Sequence, residues 1–143
     1  MFKLLHFKDN IACITPSGEH LSYGELQAIT ERIQSKTKPH QLVFSICGNT
    51  VGSLAGYVSF VNNNDATLML DAHMERSAFE ALYNTYQPRY IWAPEGFDVP
   101  KEASVVYAEK DYQLWEMCAN DTPVHDDLSV LLIHRGYIAL ASK

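Results

Sequence analysis

The chain has 143 residues with 11 basic and 17 acidic side chains, a formal net charge of −6 and an apolar fraction of 47%. That composition excludes a disordered tail, a collagenous repeat and a disulfide-stapled miniprotein, and is enough to bury the core of one domain, residues 1–143. The acidic balance, with no Lys/Arg cluster, also excludes nucleic acid as a partner, because binding phosphates takes cations that displace counterions.

Residues 10–15 (Asn-Ile-Ala-Cys-Ile-Thr) read as a strand. Pro16-Ser17-Gly18-Glu19 then supplies turn chemistry, Gly18 being free to take a positive φ, and His20-Leu21-Ser22 is the return strand of a small hairpin. Ser22 and Glu25 have the S-x-x-E spacing of a capping box, which starts a helix with Leu26, Ile29 and Ile33 at helical intervals. Lys36, Lys38 and Pro39 close it, the cations suiting the negative end of the helix dipole.

Leu42-Val43-Phe44-Ser45-Ile46-Cys47 is a nearly continuous apolar run, the pattern of a strand buried on both faces of a parallel sheet. Asn49 or Thr50 can cap the next helix, whose stripe is Val51, Leu54, Ala55, Val58 and Val61. Asn62-Asn63-Asn64-Asp65 interrupts it with residues that tolerate left-handed backbone. A second buried strand follows at 66–70, then a helix from about 74 to 86 with Ala78, Leu82 and Tyr86 on one face. Pro88 ends that helix before the strand Tyr90-Ile91-Trp92-Ala93. This alternation predicts parallel strands joined by helical crossovers. Residues 94–100 read as a loop, 104–107 and 112–118 as short strands, 120–127 as a polar turn-rich stretch and 128–133 as another long buried strand. Residues 134–143 show no clear period. The fold class is α/β: an N-terminal β-hairpin, then a βαβαβ parallel sheet with flanking helices and extra strands at the C-terminal end.

Cys13, Cys47 and Cys118 are odd in number and form no C-x-x-C, so they read as small core side chains in a reducing compartment. The six histidines never take H-x-x-x-H or H-x-x-E-H spacing, which leaves a metal site without support. The first eight residues are too short and charged for a signal peptide, and the apolar stretch 51–61 is too short to cross a bilayer core of ~30 Å. A cytoplasmic protein with no membrane partner is expected.

Gly48, Gly52 and Gly56, four apart at a strand-to-helix junction, admit two readings. They could open a helix N-terminus to phosphate, although no Lys follows, or they could permit close helix–sheet packing. Asp71 and His73 follow a buried strand, where open α/β sheets place ligands. An acid–base pair there would lack a nucleophile, and a cap for the next helix is the simpler role for Asp71. Glu19 and Asp126-Asp127 read as solvated charges; Tyr83, Tyr86, Tyr90 and Trp92 read as core and sheet face. No complete catalytic constellation emerges from the residues themselves.

The segment from Ile11 to Lys143 nevertheless resembles the N-terminal portion of the adenylate-forming ligases: AMP-forming acyl-CoA synthetases, peptide-synthetase adenylation domains and luciferases. The resemblance rests on Leu21-Ser22-Tyr23-Gly24-Glu25-Leu26 after a Gly-bearing hairpin, and on Val43-Phe44-Ser45-Ile46-Cys47-Gly48-Asn49. It extends to Asn62–Asp71, with Asn where the family usually has Gly, and to Tyr86-Gln87-Pro88-Arg89-Tyr90-Ile91. The family's Ser/Thr/Gly-rich phosphate loop should follow residues 127–132. In the stretch from Ile133 to Lys143 only Gly136 and Lys143 echo it, and Tyr137, Ile138 and Leu140 are too bulky for tight phosphate wrapping.

The resemblance implies a parent chemistry in which ATP, with Mg, and a carboxylate give an acyl-adenylate and pyrophosphate. A thiol such as CoA or a carrier-protein arm then takes the acyl group. The family's adenine, carboxylate and lid segments lie beyond residue 143, so this chain alone is expected to be inactive and to bind no cofactor, with no catalytic and no metal residue. A truncated or frame-shifted reading of a longer gene would account for the loss of pattern. Apolar surface left uncovered would then drive self-association as a dimer. Two alternatives stay open: a free-standing α/β binding or interaction module, and a nucleotide site at Gly48–Gly56.

Overall fold

A computed structural model describes residues 2–118 and 124 in full, and residues 128–134 and 137–142 as backbone strands. A 3₁₀ turn at Leu4–Phe7 leads into the hairpin of β1 (Ile11–Ile14) and β2 (His20–Ser22). Gly18 takes φ +85° at its tip, as the turn requires. Both halves of the expected capping box form. The Ser22 hydroxyl accepts from the Glu25 N–H at 3.2 Å, and the Glu25 carboxylate accepts from the Ser22 N–H at 2.8 Å, starting α1 (Tyr23–Gln34). These bonds hold the Glu25 carboxyl below its usual range.

The remaining helices and strands are β3 (Leu42–Cys47), α2 (Val51–Asn62), β4 (Ala66–Asp71), α3 (Arg76–Tyr86), β5 (Tyr90–Pro94), β6 (Ser104–Glu109), β7 (Tyr112–Glu116), β8 (Leu128–His134) and β9 (Tyr137–Ser142). Among the described residues they build one sheet in the order β6-β7-β5-β3-β4-β8-β9. Strands β5, β3, β4 and β8 are parallel, as the crossovers require, while β7, β6 and β9 add antiparallel edges. Residues 134–143, without a readable period, therefore contain an edge strand paired to β8.

Alternation along the central strands sorts their side chains into two cores. Val43, Tyr90 and Trp92 face α1 and α2, meeting Leu26, Ile29, Ile33, Ala55, Val58 and Phe60. Phe44, Ile46, Leu68, Leu70, Ile91 and Ala93 face the other way and meet Phe79 of α3. The stripe of α3 is thus Phe79 with the half-buried Leu82, Tyr83 and Tyr86; Ala78 is exposed, because the helix is rotated to bury the Phe79 ring.

Two more expectations need correction. Cys118 is exposed rather than a core residue, since β7 ends at Glu116 and the chain then leaves the sheet. Asp71 does not cap α3: the N-cap is Glu75, without a side-chain bond, and Asp71 instead closes a turn by accepting the His73 N–H at 2.7 Å.

The antiparallel edge β6–β7 is tied back to α1. The Arg32 guanidinium donates to both carboxylate oxygens of Glu109, at 2.8 and 3.1 Å, and the Tyr107 hydroxyl donates to the same carboxylate. Arg32 holds the Glu109 carboxyl below its usual range. Half of the Arg32 side chain is exposed, so this bridge fixes geometry more than it adds stability.

Candidate functional site

At the carboxyl edge of the parallel strands, β3 feeds α2 on one face of the sheet while its neighbour β4 feeds α3 on the other. Such a reversal opens a crevice in α/β sheets. Here a cleft of about 450 Å³ lies on the α2 side, walled by Cys13–Pro16 of the hairpin, Cys47–Val51, Leu54, Tyr57 and Met69. Its floor is the β3–α2 junction. Thr50 is the N-cap and its hydroxyl accepts from the Ser53 N–H at 3.2 Å, while the Ser53 hydroxyl accepts from the Gly48 N–H at 3.3 Å. The Cys47 thiol donates to the Ser45 carbonyl at 3.3 Å, and burial pushes its pKa up, so it stays a neutral thiol at pH 7. The walls are apolar with a few hydroxyls and thiols. They suit binding, and they bring no nucleophile and base together.

The glycines at this junction resolve in favour of packing. A Cβ on Gly52 would lie 2.5 Å from the Tyr112 ring and 2.7 Å from the Lys110 carbonyl. One on Gly56 would lie 2.3 Å from the Trp92 indole nitrogen, which donates to the Gly52 carbonyl at 2.9 Å. The spacing of four lets two large rings press against one helix, and the Tyr112 hydroxyl reaches past it to the Ile46 carbonyl at 2.9 Å.

Asp71 and His73 do come together, the carboxylate 3.2 Å from His73 Nδ1, but both side chains are largely in water. The His73 backbone N–H holds the Asp71 carboxyl below its usual range, which suits a turn residue and not a general acid. Tyr90 and Trp92 are fully buried on one face of the sheet, while Tyr83 and Tyr86 pack on the other. Among the described residues no group of three or more His, Cys, Asp or Glu could hold a metal, and no helix is long and apolar enough to cross a membrane. Gly136, Lys143, Asp126 and Asp127 lie outside the described residues.

No family model matches the sequence, and no curated protein is similar to it. The fold has a counterpart in the crystal structure of apo MatB from Rhodopseudomonas palustris, with a TM-score of 0.67 at 14% identity. The match covers 94% of this chain and 32% of MatB, so the chain spans about a third of that protein's length. The architecture of hairpin, three helices and mixed sheet is therefore one that occurs within MatB.

Proposed function

We propose that this chain is the N-terminal subdomain of an adenylate-forming ligase, supplying scaffold to an enzyme that activates a carboxylate with ATP and passes the acyl group to a thiol such as CoA or a carrier protein. The supporting observation is the overlap of 94% of the chain with MatB, an AMP-forming ligase, at an identity too low to carry activity with it. The order of motifs agrees. Leu21–Leu26 forms the hairpin exit and capped start of α1, and in the Asn62–Asn64 run, where the family usually has a Gly-rich turn, Asn64 takes a left-handed φ of +61°. By itself the chain is catalytically silent: Gly52 and Gly56 are closed over by Tyr112 and Trp92, and the cleft at Gly48 brings no nucleophile and base together.

The test is pyrophosphate release from MgATP with a panel of carboxylates, run beside a thermal melt in millimolar ATP or AMP. Release at no more than trace rate and an unmoved Tm are expected; a nucleotide at 100 times its Kd would add ~2.7 kcal/mol and could not be missed. Sustained release or a clear shift would overturn the silent-scaffold reading. For the assignment itself, the coding DNA from the codons of residues 133–143 onward, read in all frames, should continue as ligase-like sequence, and its absence would favour the second reading.

That second reading, a free-standing binding module, is favoured by the apolar cleft at the hairpin. Phe2, Leu5, Phe7, Ile11 and Ile14, all within the first 14 residues, are exposed large apolar side chains. On the ligase-fragment reading this uncovered surface is instead expected to be covered by a second copy, so sedimentation at micromolar concentration should show a dimer; a clean monomer would rule that out.

A further inference from the structure

At the opposite, amino edge of the sheet sits Asp65, a charged residue type in the breaker Asn62–Asp65 that is nonetheless fully buried. It stands where two connections meet. One Oδ accepts from the Gln41 N–H at 2.9 Å, on the segment leading from α1 into β3, and the other accepts from Asn63 Nδ2 at 3.0 Å, on the segment leading from α2 into β4. The same Asn63 nitrogen reaches Thr37 Oγ1 at 3.1 Å, and the Ala66 N–H donates to the Gln41 carbonyl at 2.9 Å. Two residues, one from each connection, therefore converge on one carboxyl group, and Thr37 and Ala66 extend the network behind them.

Among the described residues, the other titratable side chains on these connections are Lys36, Lys38 and His40, while the groups bonded to the Asp65 carboxyl are the Gln41 N–H and the Asn63 amide. Arg89, at the entry to β5, is bound to Glu116. A buried carboxylate without a counter-charge is costly, whereas the neutral acid is not. The protonated form also fits the bonds around it. With the Asn63 amide turned over, its oxygen accepts from the Asp65 O–H while the Gln41 N–H keeps its acceptor; the Thr37 hydroxyl, which donates to the Gln34 carbonyl at 3.3 Å, then loses the bond it accepts from Asn63.

We propose that Asp65 is a proton-operated latch: protonated, it holds the α1–β3 and α2–β4 connections together, and loss of the proton loosens them within the folded chain. Burial pushes the carboxyl up to about 7 from an ordinary 3.8. Between those two values the folded chain holds a proton that the unfolded chain has released. Stability therefore falls as pH rises through this window and levels off above it.

The experiment is a ¹³C NMR titration of the aspartate carboxyl carbons in the intact chain, with hydrogen exchange at the Gln41 and Ala66 amides measured over the same pH range. The Asp65 carbon should titrate near neutrality, and protection at both amides should drop about tenfold, beyond the intrinsic base dependence, with the same midpoint. A midpoint below 5 would overturn the proposal, as would a neutral midpoint with unchanged protection. Asp65→Asn, which keeps the acceptor for Gln41, should fold with that pH dependence removed; a retained drop would assign it to another group. If this variant does not fold, the wild-type titration decides alone.

Discussion

Placing a methyl group on Gly56 is expected to cost about 2–3 kcal/mol of stability and roughly 8 °C of melting temperature in a chain of this length. The position is helical and central in α2, where alanine's better propensity would ordinarily add ~1 kcal/mol. Against that gain stands the Trp92 indole, 2.3 Å from the new carbon. The ring has nowhere to retreat. It is fully buried, stacked on Tyr112 at 5.3 Å, edge-on to Phe60 at 6.3 Å, and held through its nitrogen by the Gly52 carbonyl. Relief would take a shift of α2 off the sheet or loss of that hydrogen bond. The cause can be isolated with Trp92→Phe, which lacks the nitrogen-bearing ring that the methyl strikes. In that background Gly56→Ala should cost less than half as much, a coupling a double-mutant cycle reads directly. Equal penalties in both backgrounds would mean that the indole is not the wall described here.

Phe79→Ala is expected to be costlier still, about 3–5 kcal/mol, and its damage should centre on one helix. Local support for α3 is slight, an exposed Arg76–Glu80 pair and the Gln87 N–H on the Tyr83 carbonyl at its C-cap; its N-cap makes no side-chain bond, and it has no acid in its first turn and no base in its last. An 11-residue helix with such ends is marginal in water, so its persistence comes from tertiary anchoring. Phe79 is its one fully buried side chain, meeting Phe44 and Phe97 edge-on at 6.1 and 5.4 Å and stacking on Tyr83 at 6.3 Å. The Arg76 guanidinium covers the ring at 5.5 Å. Hydrogen exchange should show α3 losing protection beyond the global change, while α1 and α2 follow the global value. A loss under 1 kcal/mol, or uniform loss across all three helices, would contradict this account.

These two rings also mark where the amino-acid pattern could and could not be read. Apolar runs such as Leu42–Cys47 declare a strand because both their faces must be dry, and the parallel core follows from the helices between them. The capping box declares itself because its two bonds need only residues 22 and 25. Phe79 escaped because a stripe through Ala78, Leu82 and Tyr86 has the same helical period, and only the sheet opposite decides which rotation wins. Strand β9 escaped because its alternation is masked by apolar residues at nearly every position, Tyr137-Ile138-Ala139-Leu140-Ala141. The burial of Asp65 could not be read from a run of four polar residues. It depends on a contact with Gln41, 24 positions away. For the cleft, the β3–α2 junction was visible at Gly48–Thr50, whereas Tyr57 and the hairpin wall came together only through the fold.

The strand order has a bearing on how the chain can assemble during synthesis. Starting from β3, the strands that leave the ribosome add to open borders: β4 on one flank, β5 on the other, β6 with β7 as a ribbon beyond β5 once β7 has emerged, then β8 and β9 outward from β4. No late arrival has to wedge itself between partners already joined. Vectorial growth of this kind lets earlier portions consolidate before later ones exist, and keeps each unfinished border uncovered only until its neighbour emerges.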